Sequence, residues 1–240
     1  MVCSHAAAVE NITRITLLLL KYKTIAMTTP LFPKLAHYLA DAANDFEQIS
    51  LQRKALLRQI ADGVIDALDK TGHAALIYVC THNSRRSHMG QLWAAAAAAY
   101  YNIPGVATYS GGTAITAFNP NAIQALADAG FKITGPEVSP NPHYSVAYSA
   151  EEAPVEAFSK RYMDPPNPAD HFIAVMTCAH ADDNCPFVAG ASLRVATPYE
   201  DPKEADGKPN QAQVYSQRCK EIATEVLYTF SLVAEKVANG

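Results

Sequence analysis

The segment AALIYVCTHNSRRSHMGQLWAAAAAAYY, residues 74 to 101, constrains this chain more than any other. Its first seven residues form a continuous apolar run of the length expected for a parallel strand buried on both faces. The run stops at Cys80 and gives way to a short polar loop, THNSRRS. A strong helix former then follows, in which alanines, Leu92 and Trp93 carry the chain to Asn102 and Pro104. Strand, loop and helix in immediate succession commit the chain to an α/β architecture, with the loop at the carboxyl end of a strand.

The alternation continues. Residues 106 to 110 read as a second strand closed by Gly111 and Gly112, and residues 120 to 130 as a helix that Gly130 stops. HFIAVMTC, 171 to 178, is another buried-type strand ending in cysteine; 194 to 196 is a short strand, and 211 to 237 a closing helix. This order predicts a βαβα sheet. Between 132 and 170 seven prolines interrupt the pattern, and we read an irregular insertion with a short helix at 153 to 161. Ahead of the sheet, Leu35, Tyr38, Leu39 and Ala42 share one helical face, and Leu51, Leu56, Leu57, Ile60, Val64, Ile65 and Leu68 continue at three-and-four spacing. They predict two helices, broken near 44 to 49, packed as a layer on the main domain. The expected division is an N-terminal extension at 1–26, a helical extension at 27–73 and an α/β domain at 74–240.

Composition narrows the function. With 49% hydrophobic and 18% charged residues the chain can bury a substantial core. A formal charge of -4, from 19 basic and 23 acidic residues, gives no field for a polyanion, so no nucleic-acid partner is expected. The apolar run at 15 to 20 is too short to span a bilayer, so no membrane partner is expected either. Residues 1–26 read as an upstream extension or a targeting segment, with Met27 an alternative start. Five scattered cysteines, at 3, 80, 178, 185 and 219, suit a reducing, cytoplasmic compartment better than a disulfide scaffold.

The chemistry concentrates after the first strand. Cys80 precedes Arg86 by six positions, and Ser87 follows. Backbone N–H groups of Thr81, His82, Asn83, Ser84, Arg85 and Arg86 can curl around a tetrahedral oxyanion at the positive end of a helix, with the Arg86 guanidinium clamping two oxygens. Such a field favours a thiolate at Cys80. Ser87 can donate a hydrogen bond to that sulfur, and Asn83 can brace the loop. Further along, Asp201 precedes Pro202, a common Asx-turn arrangement. Cys178 and Cys185 read as inert thiols or as half a metal site with His171 or His180 nearby. No complete metal-ligand set is visible, and no metal is expected.

VCTHNSRRSHM resembles the phosphate-binding loop of the low-molecular-weight protein tyrosine phosphatase family, whose Cys-x5-Arg-Ser motif stands near the start of a flavodoxin-like sheet. Tyr199-Glu200-Asp201-Pro202 resembles that family's Asp-Pro loop, which implies Asp201 as general acid. VMTCAHADDNCP closely resembles the redox segment of the thioredoxin-coupled arsenate reductases, a branch of the same fold. By that resemblance Cys80 is the nucleophile, Cys178 attacks its arsenate adduct to expel arsenite, and Cys185 closes a disulfide with Cys178 for thioredoxin or another small thiol reductant to reduce. The segment 179 to 184 must then loosen, and its polar residues suit that role. The resemblance implies no flavin, haem or nucleotide cofactor. His82 stands where a glycine is usual, Arg85 where another cysteine is common, and Gln91 where a potassium-holding glutamate occurs in some arsenate reductases, so a potassium site is not expected.

The expectation is a flavodoxin-like four-stranded parallel sheet with helices on both faces, carrying an arsenate reductase. The alternatives are a phosphatase acting on phosphotyrosine or small aryl phosphates through a Cys80 phosphoenzyme, and a non-catalytic oxyanion-binding module.

Overall fold

The computed structural model describes residues 31–136, 139–184 and 187–238. Cys3, the rest of the 1–26 extension, and Cys185 lie outside the described residues. The chain begins with α1 (Pro33–Ala43) and, after a 3-10 turn at Phe46–Gln48, α2 (Leu51–Thr71). Pro33 opens α1 where a missing N–H costs nothing. Ser50 caps α2 by accepting from Arg53 N at 3.2 Å, and Gly72, at φ 73°, closes it in the left-handed conformation.

The sheet follows as β1 (Ala74–Cys80), α3 (Arg86–Tyr100), β2 (Val106–Gly112), α4 (Pro120–Ala129), β6 (Phe172–Met176), α5 (Ala179–Asn184), β7 (Ala191–Ala196) and α6 (Gln211–Val237). Its four strands are all parallel, in the order β2-β1-β6-β7. Counting only these strands, the order is 2-1-3-4, the flavodoxin-like winding. β1 alternates its residues between two apolar layers. Leu76 and Tyr78 join Ile173, Val175 and Val195 under α2 and α3, with α6 packed behind them. Ile77 and Val79 join Phe172, Ala174 and Met176 on the other face, which Ala181 of α5 and Val188 help to cover. Helices thus flank both faces, with most of the helical mass on one. α1 and α2 belong to the main core: Leu35, Leu39, Leu57 and Ile60 are buried in the same cluster as the sheet. Gly90 of α3 lies hard against β1, where an added Cβ would sit 2.3 Å from Cδ1 of Tyr78.

The insertion is more ordered than its prolines suggested. Between α4 and β6 lie β3 (Lys132–Thr134), β4 (Tyr144–Ala147) and β5 (Val155–Ala157), a three-stranded antiparallel sheet in that order. The short helix expected at 153–161 is therefore corrected: Val155 to Ala157 is a strand, whose Ala157 points into the core while Glu156 faces solvent. Three- and four-residue strands are too short to display an alternation that a reader of sequence can separate from noise. The insertion then returns to the main sheet, where Gly112 and Arg161 form a parallel bridge, Gly112 N donates to Lys160 O at 2.9 Å, and Tyr162 N donates to Gly112 O at 3.0 Å. The segment 179 to 184, expected as loosely packed polar chain, is the short helix α5, with Ala181 fully buried.

Candidate active site

In an open parallel sheet, ligands bind beyond the carboxyl ends of the strands where the winding reverses. Here that point lies between β1 and β6, and Cys80 ends β1 while Cys178 stands just past the end of β6. Thr177 ties the two strand ends together, donating to Val79 O through both its N–H (2.7 Å) and its hydroxyl (2.9 Å).

The loop after Cys80 is held by its carbonyls. Thr81 O accepts from Ala114 N at 2.8 Å and from Thr113 Oγ1 at 3.1 Å. His82 O accepts from Thr116 Oγ1 at 3.0 Å and Ser159 Oγ at 3.1 Å, and Ser84 O from Asn119 N at 2.9 Å. Ser84 Oγ donates outward to Ala117 O at 2.7 Å. Among the described residues no acceptor receives the backbone N–H groups of 81 to 85. Asn83 takes the left-handed conformation, φ 42°, within this turn, a geometry its short amide side chain tolerates.

Asn83 is the brace. Its amide nitrogen donates to Ser87 Oγ at 2.9 Å, and its oxygen accepts the backbone N–H of Lys160 at 2.9 Å. Because that amide nitrogen can only donate, Ser87 Oγ accepts there and keeps its own hydrogen for the Cys80 sulfur, 3.1 Å away. The same amide meets His88 Nδ1 at 3.1 Å. His88 is fully buried, and desolvation, with the charge of Lys160 adding to it, holds its pKa well below 6.5. A neutral ring that accepts at Nδ1 carries its proton on Nε2, a buried atom without a partner among the described residues. Lys160 is itself buried, which lowers its ammonium pKa to about 8.

Arg86 opens α3 and reaches back to the 198–201 segment: Nη1 donates to Tyr199 O at 2.7 Å and Nη2 to Asp201 Oδ2 at 2.6 Å. Its Nε is buried and has no partner among the described residues. Asp201 also caps the 3-10 turn Pro202–Ala205, accepting from Lys203 N at 3.1 Å. Arg85 turns its side chain away from this group. Its Nε donates to Tyr215 OH at 2.7 Å and its Nη2 to Asp206 at 2.9 Å, so it anchors the loop to α6. The His82 side chain is exposed.

Cys178 is 1% exposed and Cys80 3% exposed, and both belong to one apolar cluster. The sulfur of Cys178 lies 3.4 Å from Thr81 Oγ1 and accepts from Ala181 N at 3.3 Å. Thr81 Oγ1 is also 3.2 Å from His180 Nδ1. α5 is fastened from β7, where the Arg194 guanidinium bonds Asp182 through both its carbonyl (2.9 Å) and its carboxylate. Among the described residues no group of three His, Cys, Asp or Glu is placed to hold a metal ion. No described helix is long and apolar enough to cross a membrane.

Sequence reasoning brought Cys80, Asn83, Ser87, Arg86 and Asp201 to one place. It missed the parts of His88, whose ring meets Asn83 from the first turns of α3, of Ser159, whose hydroxyl donates to His82 O, and of Lys160 and Tyr199, which act through backbone groups from distant segments and so leave no local pattern.

No family model matches the chain. An arsenate reductase from Bacillus licheniformis is 24% identical over 164 residues, 67% of this chain and 96% of the relative. One from Halalkalibacterium halodurans is 25% identical over 156 residues, 65% of this chain and 94% of the relative. In sequence the chain is thus similar to arsenate reductases over about two thirds of its length. Solved structures similar to it include a low molecular weight phosphotyrosine phosphatase from Vibrio cholerae O395, with TM-score 0.43 and 14% identity over 69% of this chain and 97% of that one. A thioredoxin-dependent arsenate reductase from Corynebacterium glutamicum gives TM-score 0.36 and 14% identity over 78% and 92%.

Proposed function

We propose that the chain is an arsenate reductase that uses thiols as its source of electrons. The observation that carries this reading is the seat of Cys178, against Thr81 and in the same apolar cluster as Cys80. Phosphate ester hydrolysis needs one nucleophilic sulfur; reduction of an oxyanion needs a second within reach of the first.

In this reading the backbone N–H groups of 81 to 86, together with Arg86 Nε, receive the oxyanion. Arg86 is shared between the anion and Asp201, so anion binding loosens the ion pair and releases the Asp201 carboxyl toward the departing oxygen. The Cys80 thiolate attacks arsenic and a hydroxide leaves as water with the proton from Asp201, a contribution of roughly 10²–10⁴ in rate for a placed general acid. Ser87 steadies the sulfur, a charge-assisted hydrogen bond worth about 1.5–3 kcal/mol. Cys178 then attacks the sulfur of Cys80. The sulfur–arsenic bond breaks with its electron pair going to arsenic, which falls from As(V) to As(III) and leaves as arsenite. Two thiols have become one disulfide. Cys185 attacks Cys178, frees Cys80 and leaves a disulfide between Cys178 and Cys185, which thioredoxin or another small dithiol reduces.

The Arg86 and Asp201 pair also favours a second activity, hydrolysis of aryl phosphates through a Cys80 phosphoenzyme, since phosphate is nearly isosteric with arsenate. A single turnover of reduced protein with arsenate tests the reading, with arsenite quantified and disulfides mapped by mass spectrometry. The expected result is stoichiometric arsenite with a bond between Cys178 and Cys185. Cys178→Ser is expected to abolish arsenite while sparing ester hydrolysis; arsenite production that survives this change overturns the relay.

A further inference from the structure

The 198–201 segment carries Asp201 but has no regular structure of its own until the turn at Pro202. It is gripped from two sides. Arg86 holds Tyr199 O and the Asp201 carboxylate from the oxyanion side. From the opposite side it is held by Arg53, in the first turns of α2 and far from the loop in sequence. Arg53 Nη2 donates to Pro198 O at 3.1 Å, and its guanidinium lies over the Tyr199 ring, 4.7 Å from the centroid.

Arg53 is itself fixed. Its Nε is 2.9 Å from both oxygens of Glu225 on α6, and the Glu225 side chain is only 9% exposed. Tyr199 is buried, with its hydroxyl beside the same carboxylate, and Tyr199 N donates to Thr177 O at 3.1 Å. The segment therefore has its backbone tied at Pro198 O, Tyr199 N and Tyr199 O, and its ring clamped. Once an oxyanion takes the Arg86 guanidinium, the ties through Arg53 and Thr177 remain.

We propose that Arg53 is a positioning residue for the general acid: from α2 it holds the 198–201 segment so that the Asp201 carboxyl stays aimed at the leaving oxygen while Arg86 is occupied by the anion. This rests on the reading of Asp201 as the acid. It also gives the helical layer ahead of the sheet a part in the chemistry, because α2 supplies the clamp and α6 the carboxylate that orients it. Through Tyr199, which touches both arginines, the position of the N-terminal layer reaches the acid without contact with substrate.

Leaving-group dependence separates a misplaced acid from a damaged fold. The measurement is kcat/KM of wild type, Arg53→Met, Arg53→Lys and Asp201→Asn with 2,4-dinitrophenyl phosphate, whose leaving group needs no proton, and with phenyl phosphate, whose leaving group does. Arg53→Met is expected to lose at least about tenfold on phenyl phosphate and less than about twofold on the dinitrophenyl ester, since only the first depends on a placed acid. Arg53→Lys is expected to restore part of the loss. In the Asp201→Asn background, Arg53→Met should add nothing. Single-turnover arsenite formation is followed across pH in parallel, where Arg53→Met and Asp201→Asn should flatten the same limb; this profile decides if ester hydrolysis is absent. Equal losses on both esters, or an additive double variant, overturn the role of Arg53 and leave the arsenate reductase reading standing. A wild type that neither forms arsenite nor hydrolyses either ester overturns that reading and this inference with it. Should Arg53→Met fail to fold with Glu225 buried and unpaired, the double change Arg53→Met with Glu225→Gln removes both charges and is judged by the same ratio.

Discussion

The loop at 81 to 87 and the segment at 178 to 184 leave neighbouring strand ends, yet they are built to opposite standards. The first has its carbonyls taken by residues 113 to 119 and by Ser159 of the insertion, and its one left-handed residue braced on two sides. The second is a six-residue helix, below the length at which a helix is stable by itself, held mainly by Ala181 in the core and by Arg194 on Asp182. A site that stabilises an anion must exist before the anion arrives. A relay in which one sulfur visits two others must be able to let go. Rigid cradle and releasable thiol are the two requirements of the proposed reaction, placed side by side.

Cys80→Ser is the most damaging way to break the comparison, because it removes what both regions serve. Arsenite formation and aryl phosphate hydrolysis should both fall by about a thousandfold or more, with the melting temperature nearly unchanged; residual arsenite above that level would sink the shared nucleophile. Asn83→Ala attacks the cradle alone. It leaves the Lys160 N–H without its acceptor and Ser87 without its donor, which predicts a stability loss of about 1–3 kcal/mol and a fall in kcat/KM of roughly tenfold or more in both activities. A variant as stable and active as wild type would show that the brace is dispensable.

Arg194→Met probes the other region. Hydrogen exchange of the 179–184 amides should quicken by about tenfold, corresponding to roughly 1.4 kcal/mol of lost local stability, while the 81–88 amides stay as protected as before. Equal loosening of both would mean that they form one cooperative unit. The smallest effect concerns pH. His88 is held neutral in the fold with a pKa below 6.5, so as pH falls below 6.5 the unfolded chain takes up a proton that the folded chain refuses. Stability should therefore decline from pH 6.5 downward, by at most about 1.4 kcal/mol per pH unit for this group. His88→Gln should flatten that slope in denaturant titrations at pH 7 and pH 5; an unchanged slope would place the acid sensitivity elsewhere.

Much of the rigid region was legible in the sequence, and much of the insertion was not. β1 and α6 announce themselves through a long apolar run and sustained periodicity, and the structure gives β1 as Ala74–Cys80 and α6 as Gln211–Val237. β2 runs two residues past the expected Ser110, because Gly111 and Gly112 admit the returning backbone of the insertion; a Cβ on Gly111 would meet Tyr162 Cα at 2.3 Å. Asn83, Ser87 and Cys80 could be grouped because they share one loop and the first turn of one helix. Lys160 and Tyr199 could not, since they act through main-chain groups that any residue possesses. Arg53 was invisible for a related reason: an arginine on an amphipathic helix usually reads as part of a solvated face, and only the packing of α2 against α6 and the 198–201 segment gives it a task.

Gly90 sets a dimension from outside the loop at 81 to 87. With no methyl group between it and the ring of Tyr78, α3 settles onto β1 at a depth that any other residue would reduce, and Arg86 rides on the amino end of that helix one turn away. The bore of the proposed anion seat is thus gauged by a missing side chain beneath it. A search for forms of this protein that accept a wider tetrahedral ion would do well to begin at position 90, under the floor, where the whole helix can be shimmed without altering one atom that touches the ion.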